Sequence, residues 1–412
     1  MHGSRAVALA LLVCLGTLAG VTVGATQQDA GTSMSVRTVE NTSNYLGPDG
    51  GNVDRSGQAT TSLDVAAAVG ANAGSVRSTF STVSLERKYD GAESSEERRA
   101  MVRNGTDRLA DRVATLERRE TAAIDRYSRG VISEADLFRT LAAIAVEAEA
   151  QASIATYLQN RASGLDMDAT LDRLSPLQIR LVPLHGPVKE DVANGLDDRR
   201  EARVHVETAG GGLVLATVRR QDNGEYVYVR EAYSPAIRNV RATDRYGGNV
   251  IRADERLRES YPWVTPEQGE NVEGASLTGS RGALLYTIQY SHRHGQTKPY
   301  LDGGSGRVVR DIQRKNVDRV PTEDRNLTSE GGDLLVRVER TRPGGPLGVT
   351  AFDNATDQRV DASVSVDGEP VGHTRGERLW TVEPRGETEV TVSHDGETVS
   401  VTPRSEPDLP GS

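Results

Sequence analysis

The sequence has little of four things: cysteine, lysine, aromatic residues and long apolar runs. Cys14 is the only cysteine, so the chain cannot form an internal disulfide or a thiolate metal cluster. Four of its 49 basic residues are lysines, which leaves 45 arginines, and phenylalanine occurs three times. One apolar run, Ala6–Gly24, is long enough to cross a membrane. No second run follows it, which excludes a helical protein with several membrane spans.

Motifs for nucleotide and hydrolytic chemistry are also missing. The chain contains neither the glycine-rich lysine motif of a P-loop nor the H-E-x-x-H motif of a zinc protease. Gly303–Arg307 reads GGSGR, which lacks the final glycine of a nucleophile elbow and is typical of a turn. Asp166 and Asp168 begin a pattern like a calcium loop without its later glycine and glutamate, so we predict that Asp168 is a helix N-cap. We therefore predict a protein that is not an enzyme and has no catalytic residues and no cofactor.

The charge balance is acidic. With 59 acidic and 49 basic residues the formal charge is −10, so the chain repels phosphate and we predict that it binds no nucleic acid. The acidic, lysine-poor composition resembles that of proteins from halophilic archaea, in which carboxylates keep the surface hydrated where salt screens repulsion. Codon bias in a GC-rich genome also favours arginine over lysine, and the composition does not separate the two explanations.

The N-terminus has the layout of a signal peptide. A short basic start, MHGSR, precedes the apolar run, and Val23 and Ala25 satisfy the small-residue rule for cleavage between Ala25 and Thr26. We therefore predict an exported protein that is secreted or held at the cell surface. The alternatives are an uncleaved membrane anchor, because the apolar run is slightly long, and a lipoprotein acylated at Cys14.

Four Asn-x-Ser/Thr sequons fit the prediction of export. In an exported protein such triplets are candidate N-glycosylation sites, although chance alone produces a few in a chain of this length. They lie at Asn41, Asn104, Asn326 and Asn354.

Apolar periodicity predicts helices in the first half of the chain. Residues 26–61 are mostly small and polar, and we predict a disordered spacer there. Residues 62–175 carry three apolar stripes at helical spacing. Gly130 ends the second helix, and Ser133 with Asp136 resembles a capping box that begins the third. Because the loop between these long helices is short, we predict an antiparallel three-helix bundle.

The second of these helices contains a feature that disfavours helix. Its apolar stripe runs through Val102, Leu109 and Leu116. Asn104 and Gly105 interrupt it near its start, and glycine costs up to about 1 kcal/mol relative to alanine inside a helix. We therefore predict a local weak point there.

The second half of the chain has the pattern of strands. Beginning at Pro176, residues 176–318 hold alternating segments around an Asn223-Gly224 hairpin turn and one amphipathic helix at Asn249–Tyr261. This pattern predicts a mixed α/β domain with antiparallel strands. Beyond it we predict a polar linker, a small β-sandwich and a tail, over residues 319–332, 333–404 and 405–412. The predicted fold class is therefore multi-domain α+β.

Two segments resemble known exported modules. Ser363–Gly372, followed by the Leu379–Val382 strand, is similar to prealbumin-like or carboxypeptidase-regulatory-like sandwiches, which implies a non-catalytic spacer or adhesion unit. Tyr286–Tyr290 and Tyr300–Val308 resemble the terminal hairpin of a PepSY-type domain, a family found in protease propeptides and exported regulators. The whole layout resembles exported haloarchaeal proteins of unknown function, which implies no particular activity.

His292 and His294 are the only two histidines that lie close together in the sequence. At alternate positions of a strand they point to one face, so a metal site is sterically feasible with Asp302 or His205 as a further ligand. Arg293 between them and the GQTKP segment after them favour instead a solvated hairpin tip. We therefore predict no metal.

These observations favour a non-enzymatic exported protein that acts by binding or spacing, with an extracellular or cell-envelope protein as its partner. A membrane is a partner only if the N-terminal apolar run is retained. The alternatives are a PepSY-like regulator or inhibitor of an exported protease, and a hydrolase whose site has no recognised motif.

Overall fold

The computed structural model describes residues 33–61, 83–196, 202–278, 284–328 and 332–402. They belong to one structural unit, which begins at Thr32. The predicted signal peptide with its cleavage site at Ala25 and Thr26, and the predicted tail 405–412, lie outside the described residues. Within the described ranges, no helix is both long enough and apolar enough to span a bilayer.

A sheet of eight antiparallel strands lies at the centre of the fold. A short hairpin, β1 (Met34–Arg37) and β2 (Tyr45–Pro48), precedes it in the chain. The strands of the sheet are β3 Arg55–Thr61, β4 Ala202–Ala209, β5 Gly212–Arg220, β6 Tyr226–Tyr233, β7 Asn271–Thr278, β8 Leu285–His292, β9 Gly295–Asp302 and β10 Arg307–Asn316. Their spatial order is β3-β4-β5-β6-β10-β9-β8-β7. β7 was not predicted, because Gly274 interrupts the short alternation of its sequence NVEGASLT.

Four helices form a layer on one face of this sheet. They are α1 Ser95–Ser128, α2 Glu134–Ser163, α3 Asp168–Leu181 and α4 Pro187–Leu196. The capping box at the start of α2 is confirmed, since the Ser133 Oγ accepts the backbone N–H of Asp136 at 3.2 Å. Asp168 is not the N-cap that we predicted but the first helical residue after Met167. Pro176, where we predicted the α/β domain to begin, lies inside α3.

The alternation of apolar residues explains why the helices cover that face. At every second position, β4, β5 and β6 contribute aliphatic side chains to a core shared with α1, α2 and α4. Full burial of each such side chain contributes about 1.5–3 kcal/mol. The strand residues in this core are Val204, Val206, Leu213, Leu215, Val227 and Val229.

The helices do not form the separate three-helix bundle that we predicted. α1 and α2 pack along each other near Leu109 and Leu158, but Ile124 and Leu137 at the other end of the pair belong to the sheet core. Heptad spacing does not distinguish a stripe buried on another helix from one buried on a sheet. The first predicted helix, from Ser62, lies mostly outside the described residues, and only its end, residues 83–90, is described as helical.

Three segments cover the opposite face of the sheet. They are the β1–β2 hairpin, helix α5 (Val250–Ser260) and the C-terminal domain. Leu46 of the hairpin and Leu257 of α5 pack with Val214 of β5 in one core. The α5 helix was predicted from its amphipathic pattern, and its position is confirmed within one residue at each end.

Residues 33–61 correct the prediction of a disordered spacer. The β1–β2 hairpin buries Met34 and Leu46, and β3 pairs along its whole length with β4 at the edge of the sheet. The segment contains few large apolar residues, but a strand added to an edge is held by its backbone hydrogen bonds, which do not depend on side chains. Residues 26–32 lie outside the described residues.

The C-terminal domain contains two antiparallel sheets. Its alternating valines fill one core, as the predicted β-sandwich requires. The predicted linker at 319–332 is wrong in part, because residues 323–328 pair with the next strand of the domain. The strands are β11 Glu323–Thr328, β12 Leu334–Arg340, β13 Pro346–Asp353, β14 Gln358–Arg359, β15 Ser363–Val366, β16 Glu369–His373, β17 Leu379–Val382, β18 Val390–His394 and β19 Glu397–Val401.

The sandwich docks directly on the central sheet. Trp380 and Val382 pack with Tyr228 in a small apolar core. The Tyr228 hydroxyl donates to the carbonyl of Gly344 at 2.5 Å, and Gln58 Nε2 donates to the Val382 carbonyl at 2.9 Å. The two domains therefore share a polar and apolar interface rather than being joined by a free linker.

Gly105 allows α1 to approach α2 closely. A Cβ atom at this buried position would lie 2.8 Å from Cδ2 of Leu158, closer than real Cβ contacts occur. α1 continues without interruption through Asn104 and Gly105. The weak point that we predicted from the sequence is thus a point of close packing.

Gly105→Leu is expected to lower the free energy of unfolding by about 1–3 kcal/mol, because the added side chain overpacks the contact between α1 and α2. Chemical denaturation followed by circular dichroism measures this change. The matched control is Asn104→Leu at the exposed neighbouring position, which is expected to change stability by about 0.5 kcal/mol or less. Equal losses in the two variants would contradict the packing role of Gly105.

Candidate functional site

Polar side chains occupy the centre of the sheet face that the hairpin and the sandwich cover. The β6–β10 pairing places Gln313 opposite Arg230 and Lys315 opposite Tyr228. Strand alternation therefore directs these four residues, with Asp311, to the same face. All five are buried, although charged groups are rarely buried without partners. We call this set the buried polar cluster.

Arg230 is the largest side chain in the cluster. It is 2 % exposed, and its guanidinium carbon lies 4.7 Å from the ring centroid of Tyr45. Arg342 of the sandwich lies on the same ring at 3.7 Å. One tyrosine thus contacts two arginines by cation–π interaction. Gly47 makes room for them, because a Cβ there would lie 2.8 Å from the Tyr45 ring and 3.1 Å from Arg230 Nη2.

Three polar atoms of the cluster have no hydrogen-bond partner among the described residues. They are Arg230 Nη1, Asp311 Oδ1 and the side-chain oxygen of Gln313. Asp311 accepts hydrogen bonds from the backbone N–H of Leu46 at 3.0 Å and from Gln313 Nε2 at 2.9 Å. Burial raises the pKa of Asp311, while Arg230 lowers it. Buried polar atoms without partners are uncommon, so this part of the face is suited to hold a water molecule or a ligand.

Lys315 lies at one end of the cluster, 3 % exposed. Its Nζ donates to Oγ1 of Thr42 at 3.0 Å, and the carbonyl of Ser43 is at 3.4 Å. Within the described part of the chain, no carboxylate lies within ion-pair distance of it. Burial, and after it the charge of Arg342, lowers the pKa of Lys315 well below its usual value. The side chain is therefore suited to be a neutral amine.

The two neighbouring histidines lie beside this lysine. The turn between β8 and β9 is present as predicted, but His292 and His294 are 6 % and 4 % exposed, so the prediction of a solvated tip is wrong. His294 stacks on Trp263 at 4.8 Å between ring centroids, and its Nδ1 lies 3.2 Å from Thr42 Oγ1. The residues that bury the pair come from distant parts of the chain, which adjacent sequence cannot reveal.

The candidate metal ligands are not brought together. Asp302 accepts the backbone N–H groups of Asn239 and Ser305, and His205 Nε2 lies 3.0 Å from Glu207. Over the described ranges, no group of three histidine, cysteine or acidic side chains is arranged to hold a metal ion. The absence of a metal from this protein stays a prediction.

A cavity of about 210 Å³ leads from the surface to Tyr45 and Arg342. Arg37 at its wall pairs with Asp49, and Arg385 pairs with both oxygens of Glu207 at 3.2 Å. Arg342 has no carboxylate partner within ion-pair distance in the described chain, and only the Pro343 carbonyl accepts from its Nη1, at 3.3 Å. The residues around the cavity are Arg37, Thr38, Val39, Glu40, Tyr45, Pro48, Arg342, Pro343 and Arg385.

The four sequons differ in their surroundings. Asn41 and Asn354 lie exposed in turns, whereas Asn104 is exposed within helix α1. The Thr106 hydroxyl of the Asn104 sequon is buried and donates to the Val102 carbonyl at 2.9 Å. Asn326 lies on β11, and its side chain is outside the described set. Glycosylation at these positions stays a prediction.

Acid is expected to destabilise the protein through His292 and His294. Burial, followed by the charge of Lys315, lowers the pKa of His292 to about 3 and that of His294 to about 4. In the unfolded chain both pKa values return to about 6.5. Between these limits the unfolded state binds more protons, so stability decreases as the pH falls from about 6.5 toward 4.

The loss should reach about 2 kcal/mol per histidine between pH 6.5 and pH 5. Denaturant titrations at pH 7.5 and pH 5 measure it. The double variant His292→Gln/His294→Gln is expected to lose part of this pH dependence, and the exposed control His373→Gln is expected to keep all of it. A wild-type stability that is equal at the two pH values would contradict the burial of neutral histidines.

Three family models match the chain in succession. Residues 1–201 match a domain of unknown function (DUF7096), and residues 204–321 match a family of unknown function (DUF7094). Residues 325–401 match an archaeal fibronectin-III type-like domain. No curated protein and no solved structure matches the chain.

These matches agree with a protein of several domains, mixed α+β, that ends in a β-sandwich. The sandwich is confirmed, and the family that matches it is of fibronectin type rather than the carboxypeptidase-regulatory type that its motif resembled. The boundary between the first two models falls at the start of β4, and that between the last two falls in β11. The resemblance to PepSY domains and the haloarchaeal origin stay predictions. The chain is therefore similar to two families of unknown function and, at residues 325–401, to archaeal fibronectin-III type-like domains.

Proposed function

We propose that this chain is a non-enzymatic exported protein that binds a small anion in the cavity between the N-terminal hairpin and the sandwich. The observation that carries the proposal is the Arg342 guanidinium, which reaches the cavity without a carboxylate partner in the described chain. Because acidic residues outnumber basic residues in this chain, most arginines can form an ion pair with a carboxylate at the surface. A half-buried cation without one is therefore a candidate anion site.

The charges at the wall favour an anionic ligand. Three arginines and one glutamate surround the cavity, and two of the arginines are neutralised by Asp49 and Glu207. The positive charge of Arg230, which contacts the same Tyr45 ring, adds to that of Arg342. A carboxylate or phosphate group could accept both N–H groups of one edge of the Arg342 guanidinium.

The position of the site favours binding over turnover. Arg342 and Arg385 come from the sandwich, and Arg37 and Tyr45 come from the hairpin. A ligand there would contact both the hairpin and the sandwich and stabilise their association. Export of the chain rests on the basic start, the apolar run and the small residues before Thr26.

Isothermal titration with acetate, succinate, citrate, phosphate and sulfate tests the proposal on the folded protein. At least one of these anions is expected to bind, and Arg342→Gln is expected to weaken its affinity by about 10-fold or more, because a charge-assisted hydrogen bond contributes about 1.5–3 kcal/mol. Arg359→Gln, which removes an exposed charge from the same sandwich, is the matched control and should leave the affinity unchanged.

Absence of binding by every anion in the panel would overturn the proposal. It would also fail if Arg342→Gln and Arg359→Gln weakened binding equally, because the effect would then be one of net charge alone. Far-UV circular dichroism of both variants verifies that they fold.

A further inference from the structure

Lys315 is unusual among the cations of this chain. Arginine supplies 45 of the 49 basic residues, so a lysine in the buried polar cluster departs from the general composition. Arginine keeps its proton in proteins, whereas a buried lysine can release it and act as a base. The fold therefore places, in its interior, the type of cation that can take part in proton transfer.

The Thr42 hydroxyl lies between two nitrogen bases. Its Oγ1 is 3.0 Å from Lys315 Nζ and 3.2 Å from His294 Nδ1. Burial first, then neighbouring positive charge, lowers the pKa of both nitrogens, so the uncharged form, which has a lone pair to accept a hydrogen bond or a proton, is favoured at each. A hydroxyl within hydrogen-bond reach of a base, with a second group that orients it, is the arrangement of an activated nucleophile.

The burial of this hydroxyl decides what it could attack. Thr42 and Lys315 are both buried, and neither lines the cavity at Tyr45 and Arg342. An external substrate would have no described path to the hydroxyl. The carbonyl of Asn41, in contrast, is bonded to the nitrogen of Thr42 itself and is always within reach.

The backbone before Thr42 is in a sparsely populated conformation. Asn41 has φ of +56°, in the left-handed region, which costs most non-glycine residues about 1–2 kcal/mol and asparagine less. The residue itself is exposed at the turn between β1 and β2, so water reaches the Asn41 side of the peptide bond. The Asn41–Thr42 peptide bond thus follows a residue in a sparsely populated conformation, and it lies beside the Thr42 hydroxyl and two nitrogen bases.

We propose that the chain cleaves its own Asn41–Thr42 peptide bond through an N-to-O acyl shift. Thr42 Oγ1 attacks the carbonyl carbon of Asn41, and its proton passes to Lys315 Nζ. The bond between that carbon and the Thr42 nitrogen then breaks, and the nitrogen takes the proton from Lys315. The product is an ester between the Asn41 carboxyl group and the Thr42 hydroxyl.

Water completes the reaction. Its oxygen adds to the ester carbonyl, and the carbon–oxygen bond to Thr42 breaks. Asn41 is left with a carboxylate, and Thr42 recovers its hydroxyl and becomes an N-terminal residue with a free amine. The chain acts on itself once and does not turn over, so this reaction is compatible with a protein that otherwise binds.

The two pieces would remain together after cleavage. β1 on the N-terminal piece pairs with β2 on the other, from Met34 opposite Pro48 to Arg37 opposite Tyr45. Met34 is buried, and Arg37 forms an ion pair with Asp49 across the cut. Cleavage is therefore expected to be visible only under denaturing conditions.

Intact-mass spectrometry of the denatured full chain tests the proposal. Purified protein is incubated for several days at pH 8 with and without hydroxylamine, which captures esters. The expected result is a pair of fragments divided between Asn41 and Thr42, with faster division and an Asn41 hydroxamate when hydroxylamine is present. A wild-type chain that stays whole in both incubations would overturn the proposal.

Variants identify the groups involved. Thr42→Ala is expected to abolish cleavage and Thr42→Ser to retain it, since serine keeps the hydroxyl. Lys315→Met and, separately, His294→Gln are expected to slow it, by about 100-fold or more for loss of the base. Thr60→Ala removes an exposed threonine from β3 and should cleave like the wild type.

Division at the same bond in Thr42→Ala at the wild-type rate would contradict the role of the hydroxyl. Near-UV circular dichroism verifies that each variant folds, and Thr42→Ser provides a folded positive control. Binding of anions at Arg342 is measured separately, so failure of one proposal leaves the other open to its own test.

Discussion

The buried charge of Arg230 constrains the rest of this structure. It lies at the centre of an eight-stranded sheet, on a strand whose alternate residues are valines in the helix-facing core. A guanidinium in such a position is costly to bury without partners. The residues that cover this face must therefore be polar or aromatic. An apolar helix layer like that on the opposite face would leave the Arg230 charge without a partner.

The β1–β2 hairpin and the sandwich supply those groups. Tyr45 lies on the Arg230 guanidinium, the backbone N–H of Leu46 binds Asp311, and Gly344 accepts from Tyr228. These contacts join residues that are more than 100 positions apart in sequence, so the first and last described parts of the chain meet over the same strands. Arg342 of the sandwich contacts the same Tyr45 ring by a second cation–π interaction.

Local pattern was sufficient to predict the strands of the sandwich and of most of the central sheet, the α5 helix and the Ser133 cap. It failed where long-range pairing decided the outcome. The polar residues of β3 and β11 gave no apolar alternation, yet their backbones pair with neighbouring strands. The same limit explains why the two long helices, correctly placed, were assigned to a free bundle.

The candidate site was missed for a related reason. On β6 and β10 the alternation of valines with Arg230 or of Ile312 with Gln313 is typical of a sheet with one face in water. Only the tertiary structure shows that both faces are covered. One signal was present in the sequence: Lys315, one of four lysines among 49 basic residues, lies inside a strand.

Arg342 connects the cavity to the proton-accepting lysine. After burial, its positive charge is the largest cause of the lowered pKa of Lys315. An anion bound at Arg342 would offset that charge and raise the pKa of Lys315, so a larger fraction of the amine would be protonated and unable to accept the Thr42 proton. Binding in the cavity and activation of Thr42 are therefore opposed by electrostatics, and a ligand of the cavity should slow cleavage without contacting the hydroxyl.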